Sequence, residues 1–501
     1  MKKFTKTFAG ALALITAVTA FAGCSSSDGG ATSNGGNAGN SSAANSSAET
    51  QKVMSENSGV IDAVDNVSVS EDYKDIKVDT KIKWMAWWKI QEASPAVEMF
   101  KSMYGTPENV PAGYESSAGA DDVFVNIFIS TYADRYTSLA KLVQADDSPD
   151  CFPFEIGNYP YSVYQNLFQP VDSIIDFTTD DWAPYKDSID KFNWGGKTYC
   201  PIMDLNVNSL LWYRKSVAEE AGIEDPWECF ENGTWTWTTF LEACRKFSDP
   251  DNGKYTLDGY NPENNMVATT GTPLIGLVDG KLVSNLNNAN IEKCMDMLRL
   301  FDNTQEQLRY PRDIDNNWNV NYSEWANGNT LFFEDGTWRY EETWRLFKVK
   351  YKWDDDDICF VPFPKMDEAD AYYQFMKQDS IMLVAGSKNI EGYKAWIYAN
   401  LLASSDEGIK AAAREQSKEE YGWTDELLDR LELLKNPDTF EAVFDFKNGI
   451  GQDIASADNQ DTIVEQLTKY PYMTGVTYTS VRESVKGQIE TRLNELNLSV
   501  S

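Results

Sequence analysis

The 501 residues contain no histidine. That excludes Ser-His-Asp and Cys-His catalysis and removes the commonest zinc sites. Acid–base chemistry is left to the carboxylates. There are 78 Asp and Glu, and a hydrolase working with a pair of them needs no other residue type. Seven cysteines are scattered without C-x-x-C spacing. Tryptophan is the other residue with chemical reach. In "KIKWMAWWKI", residues 81–90, Trp84, Trp87 and Trp88 fall within five positions. A flat indole covers an apolar patch such as the C–H face of a sugar ring, while amides and carboxylates bond a hydroxyl rim.

The chain is acidic, with a formal charge of −34. Such a surface repels nucleic-acid phosphates and anionic headgroups, so no nucleic-acid partner is expected. The run Asp354 to Asp357 reads as a solvated loop. "SDPDNGKYTLDGY" lacks acids at the alternate positions that a calcium loop requires and reads as a turn-rich loop. No metal site and no cofactor is expected.

The chain begins "MKKFTKTFAGALALITAVTAFAGC". Three early lysines and a short uncharged apolar stretch read as an export signal over residues 1–23. The ending "FAGC" resembles a bacterial lipobox, with Phe21 in place of the usual leucine. The resemblance implies cleavage before Cys24 and lipidation of that cysteine. Loss of Lys2, Lys3 and Lys6 would take the formal charge to −37. The Ser, Gly, Asn and Ala that follow cannot bury enough surface to offset chain entropy, so residues 24–75 are expected to form a flexible tether. The six cysteines left, Cys151, Cys200, Cys229, Cys244, Cys294 and Cys359, could form three disulfides in any of fifteen pairings or stay as buried thiols, and are read mostly as free thiols.

Positioning elements follow from periodicity. "IKVDTKIKWMAWW" alternates apolar and polar residues and reads as a strand running into the tryptophans. "VFVNIFIST" and "CFPFEI" are further strands, with a helix between them that stops at "DDSPD". "TWTWTTFLEACRKF" is a Thr-capped helix. "NYSEWANGNTLFFEDGTWRYEETW" is helix end, strand, turn and helix. "SIMLVAGSKNIEGYKAWIYANLLAS" is a buried strand followed by an amphipathic helix, and the tail is helical. The strand–helix–strand order of the first of these predicts an α/β lobe with a mainly parallel sheet.

In their order, these pieces resemble the extracellular solute-binding proteins of bacterial ABC importers, of the maltose-binding-like family 1 type, from Lys81 to about Arg492. "SPDCFPF", "WGGKTYCPIMDLNVNSLLWYRKSVAEEAGI", "TWTWTTFLEACRKF", "WANGNTLFFEDGTW" with "PFPK", and "SIMLVAGSKNIEGYKAWIYANLLAS" carry the resemblance. It implies a two-lobed periplasmic-binding-protein-like α/β fold (type II) whose discontinuous lobes close on ligand. One lobe would comprise 76–205 plus 379–440, the other 206–378 plus 441–501. The crossings fall near Asp204–Ser209 and Lys377–Ser380. It implies no catalysis, a monomer, and delivery of a carbohydrate, an oligosaccharide, to the transmembrane subunits of a permease. The chain would sit at the outer face of the cell membrane, held there only by lipid.

In open parallel sheets ligands sit beyond the carboxyl ends of strands, which puts Trp87 and Trp88 at a cleft and Trp84 in the core. The family's pattern adds Phe154, Glu155, Asp204, Asn206, Asn208, Trp338 and Tyr478. Trp235, Trp237, Trp325 and Trp396 are read as packing residues. Two other readings stay open: a cell-surface carbohydrate hydrolase with paired carboxylates, and a receptor for a peptide or polyamine.

Overall fold

The computed structural model describes residues 58–88, 90, 94–114, 123–128, 132–312, 320–437, 439–455 and 462–500. The export signal, Cys24, the tether up to residue 57 and Trp318 lie outside them. No described helix is long and apolar enough to cross a membrane. The chain forms two compact units. The first holds the described residues up to Ser138, Pro149–Phe152 and Ser387–Asp425. The second holds Leu139–Ser148, Pro153–Gly386 and Glu426 onward.

In the first unit the alternating run becomes strand β1 (Ile82–Ala86). It pairs in parallel with β2 (Phe124–Phe128) and, through Trp84 opposite Cys151, with β3 (Cys151–Pro153). Met85 is buried as well as Ile82, Trp84 and Ala86, so β1 is covered on both faces. Helix Pro95–Tyr104 starts at Ser94, whose side chain accepts from Val97 N–H, with proline in the first turn. Trp396, on helix Ile390–Ser405, packs edgewise on Phe124 and Phe100. That helix was expected to be amphipathic. Instead it buries ten of its sixteen residues, because side chains on nearly every face meet packed chain. Asp150 ties the "SPD" turn to it, accepting from Ser387 Oγ (2.7 Å), Lys83 N–H (2.8 Å) and Asn389 Nδ2 (3.2 Å).

The packed chain starts upstream of residue 75, where the tether was expected to end. Val60 and Val64 of helix Ser58–Val64 are buried, and Tyr73 stacks on Tyr398 at 4.0 Å. Three large apolar side chains in a segment otherwise rich in polar residues are enough to dock it.

In the second unit β4 (Ile202–Val207) and β5 (Leu210–Arg214) follow each other closely. Strand β6 (Tyr255–Gly259) runs parallel to β9 (Thr330–Asp335), and β10 (Ile358–Val361) pairs antiparallel to β5. The sheet order is β10-β5-β9-β6. Between β6 and β9 the chain forms a small hairpin of β7 (Ile275–Val278) and β8 (Lys281–Ser284). The long β11 (Tyr372–Leu383) pairs antiparallel to β4 and parallel to β12 (Phe440–Val443). The sheets of this unit are thus mixed, whereas both described pairings of β1 in the first unit are parallel. The two expected crossings lie side by side, Asn206 opposite Lys377 and Asp204 opposite Asp379.

These units do not coincide with the lobe bounds inferred from the sequence. An aromatic cluster explains part of the difference. Phe154, Tyr159 and Phe192 pack with Phe444 and Phe446, which joins residues 153–205 to the segment after β12.

Trp235, Trp237, Trp325 and Trp396 are buried, as expected. Three of them donate their indole N–H inside the unit, to Pro362 O, Thr269 Oγ1 and Trp212 O respectively. The six described cysteines are buried, and none of them is in a disulfide. Burial pushes the Cys359 thiol up to about 11, far from reactive thiolate.

Candidate functional site

Strands β6 and β9 end together, at Gly259 and Asp335, where β5 begins at Leu210. This is the carboxyl edge of the parallel pair, where an open sheet leaves strand ends free for ligand. The edge is built from two carboxylates, each held by hydrogen-bond donors around it. Glu334 is buried and accepts from Ser209 Oγ (2.5 Å), Asn265 Nδ2 (2.9 Å) and Asn261 N–H (2.9 Å). Asp335 accepts from Arg339 Nε (2.7 Å) and Gly336 N–H (2.8 Å). Burial raises the pKa of both carboxyls; their hydrogen bonds and neighbouring arginines oppose the shift. Gly259 has φ +141° directly beside Glu334; a Cβ there would lie 2.5 Å from Glu334 Cβ, so only glycine lets the strands finish together.

Around this edge lie half-buried aromatic and amide groups. Tyr260 and Tyr322 share a short hydroxyl–hydroxyl bond. Arg339 has its guanidinium carbon 3.9 Å from the centre of the Trp338 ring and 4.5 Å from that of Tyr322. Asn208 is exposed in the β4–β5 turn. A Cβ built on Gly336 would lie 2.4 Å from Trp338 Nε1 and 3.4 Å from Asn208 O, so these three residues are neighbours.

The first unit carries its own aromatic group at the end of β1. Trp87 and Trp88 are half-buried and meet edge to face at 4.6 Å. Trp88 also contacts Trp84, which is in the core. Trp87 meets Tyr132 and Phe152. The buried Arg135 guanidinium lies 3.6 Å from the Tyr132 ring centre and 5.6 Å from that of Trp87.

Residues 114–418, more than half of the chain, match the bacterial extracellular solute-binding protein family. The chain belongs to this family. It is therefore a binding protein rather than an enzyme. Solved structures agree on the fold. The ABC substrate-binding protein Lmo0181 of Listeria monocytogenes, in complex with cycloalternan, is 15% identical with a TM-score of 0.53, over 84% of this chain and 100% of that one. The GacH receptor of Streptomyces glaucescens, solved unliganded and with acarbose, is 13% identical with a TM-score of 0.55, over 83% and 99%. A cyclo/maltodextrin-binding protein complexed with maltotetraose is 15% identical with a TM-score of 0.52, over 83% and 97%. At these identities the likeness carries the fold alone, the two-lobed periplasmic-binding-protein-like α/β fold. No curated protein sequence matches.

For this solute-binding protein the nine residues expected at the ligand fall into three groups. Trp87, Trp88, Asn208 and Trp338 keep accessible surface at strand ends, and Glu155 is half-buried just after β3. Asp204 and Asn206 are engaged in the paired crossings. Asn206 Nδ2 donates to Asp379 (2.6 Å) and Asp204 (3.2 Å), while Lys435 pairs with Asp204 and Lys377 with Asp379. Phe154 and Tyr478 are packing residues. Phe154 is enclosed by Tyr159 and Phe192. Tyr478 is 1% exposed and donates its hydroxyl to Leu286 O at 3.0 Å, so its ring presents no face to a solute.

Reading the sequence missed Tyr260, Asn261, Asn265, Tyr322 and Arg339. A signal for the first three was present. "YTLDGYNPENN" is a strand followed at once by polar and aromatic residues, which is what the strand-end rule looks for. Nothing local marks Tyr322, which reaches the edge only through helix packing.

Gly336→Ala tests the edge directly. Its Cβ would collide with Trp338 Nε1 and Cδ1, and a fused ring cannot fold aside as a flexible chain does. Near-UV circular dichroism should change while far-UV ellipticity holds. Solute affinity by calorimetry should fall roughly tenfold, about 1.4 kcal/mol. An unchanged near-UV spectrum would show that Trp338 does not rest on Gly336.

Proposed function

We propose that this protein is the lipid-anchored, substrate-binding component of an ABC importer and that its solute is a carbohydrate, an oligosaccharide. The observation that carries this reading is the half-buried Trp338 at the carboxyl edge of β6 and β9, with the exposed Asn208 a neighbour and Tyr322 on the same guanidinium. Trp87 and Trp88 supply a second plate at the end of β1. The ligands of structurally similar proteins, cycloalternan, acarbose and maltotetraose, support the same class. The crossings at 204–209 and 377–380 act as the hinge, and Cys24 carries the anchor. The transmembrane subunits of a permease receive the sugar.

The buried carboxylates weigh against a hydrolase. Glu334 is held by Ser209, Asn261 and Asn265, and Asp335 by Arg339, so neither is free to attack a glycosidic bond or activate water.

The test is thermal unfolding of residues 25–501, which lack the acyl-bearing cysteine, against mono- and oligosaccharides, peptides and polyamines. A solute that binds only the folded chain adds about 2.7 kcal/mol at a hundredfold excess over its Kd. A raised midpoint with one class of oligosaccharide is the expected result. A rise only with polyamines or peptides would keep the receptor and replace its solute. New reducing ends would overturn the binding reading.

A further inference from the structure

We propose that Arg339 is a positioning residue that fixes the Trp338 plate and makes it selective for neutral over cationic solutes; this deepens, and rests on, the carbohydrate reading. Arg339 is 7% exposed, and its guanidinium is fixed from several sides. Nε donates to Asp335 at 2.7 Å, Nη1 donates to Thr343 Oγ1 at 3.0 Å, and Glu342 lies 3.7 Å from Nη1. Asp335 ends β9, so the guanidinium is anchored to the sheet rather than to a mobile loop. The same group lies against both aromatic rings, 3.9 Å from the centre of Trp338 and 4.5 Å from that of Tyr322. Trp338 therefore rests on the guanidinium and, by its Nε1–Cδ1 edge, on Gly336, and the ring keeps part of its surface accessible.

Two consequences follow from the chemistry of the stack. A planar guanidinium defines the plane of the ring it covers; lysine, a point charge on a flexible stem, does not. The guanidinium also draws the negative quadrupole of the indole towards itself. An ammonium approaching Trp338 competes with a guanidinium that already occupies the ring's negative quadrupole. A sugar C–H face depends on dispersion and area, which the cation leaves intact. The arrangement recurs at the other plate. Buried Arg135 lies against Tyr132 and Trp87, so both sets of candidate aromatic residues are backed by a buried arginine.

The experiment uses residues 25–501 labelled with 5-fluorotryptophan, with the Trp338 fluorine signal assigned by Trp338→Phe. Arg339→Lys and Arg339→Met are compared with the parent chain. Arg339→Met leaves Asp335 buried without its partner, so Arg339→Met/Asp335→Asn serves as a neutral pair if the single variant does not fold. The Trp338 signal should move or broaden in all of them. Tetramethylammonium should perturb that signal in the methionine variants and not in the parent. For an oligosaccharide found to raise the parent's midpoint, Arg339→Lys should lower affinity about tenfold. It should cause no further loss once Trp338 is alanine. An unmoved Trp338 signal in Arg339→Lys and Arg339→Met overturns the positioning role, and equal tetramethylammonium responses overturn the selectivity. If no sugar binds while the fluorine signals behave as expected, the carbohydrate reading fails and the role of Arg339 stands.

Discussion

Trp338→Ala should remove most of the stabilisation that the solute confers, with little change in the midpoint of the unliganded chain. The two halves of this expectation rest on different observations. The ring is half-buried, packed on Arg339 and Gly336 and outside the continuous core of the second unit, so its truncation leaves no enclosed cavity. Tryptophan at the centre of a binding surface commonly carries about 2 kcal/mol or more, roughly a thirtyfold change in Kd. Calorimetry with whichever oligosaccharide raises the midpoint checks the affinity, and thermal unfolding without solute checks the fold. A variant that binds as tightly as the parent would remove the carboxyl edge of β6 and β9 from the site. One that loses several degrees without solute would return Trp338 to the core.

Glu263→Gln should stabilise the protein at alkaline pH and flatten its stability between about pH 5 and 8. Glu263 lies in the first turn of helix Pro262–Ala268, is 1% exposed, and its Oε2 has no hydrogen-bond partner among the described residues. Nearby, Lys447 is engaged by Asn264 (2.7 Å) and Glu465 (3.2 Å). Burial, reinforced by Glu465 and opposed by Lys447 and Arg312, pushes the Glu263 carboxyl up to about 7 from 4.5. The folded chain then holds a proton that the unfolded chain releases near 4.5. Its contribution to stability is full below that value and is lost as pH rises through about 7. The shift corresponds to about 3 kcal/mol. Because the chain has no histidine, no imidazole titration obscures this window. Urea unfolding of parent and variant at about pH 5 and about pH 8 reads the difference. Other buried acids, such as Asp258 and Asp445, contribute equally to both chains and cancel. Identical pH slopes would show that Glu263 does not hold the proton.

The fold was legible where signals are local. The Thr236 cap, with its reciprocal Thr239 bond, stands where "TWTWTTF" places a helix start. The strand ending at Ala86, just before Trp87, and the strand of "TLFFED" are where alternation and apolar runs put them. The tether's end was misread because Val60, Val64 and Tyr73 are sparse in a polar stretch, and only their packing against distant helices shows that they count. The candidate site was half legible. Trp338 and the Trp87–Trp88 pair were visible as residues, but the groups that hold them were not.

From the sequence alone came the exclusion of histidine chemistry, the acidic character that disfavours phosphate partners, and the family, since residue types and the order of short segments are written along the chain. Which side chains can face a solute was decided only by tertiary structure. Exposure depends on what packs across from a residue, and that partner is remote in sequence. Leu286 engages the hydroxyl of Tyr478, Phe192 encloses Phe154, and Asp379 holds Asn206 from 173 residues away. Trp338 escapes the same burial because the strand ends beside it are filled by Glu334 and Asp335, already bonded to Ser209 and Arg339, leaving the indole at the edge.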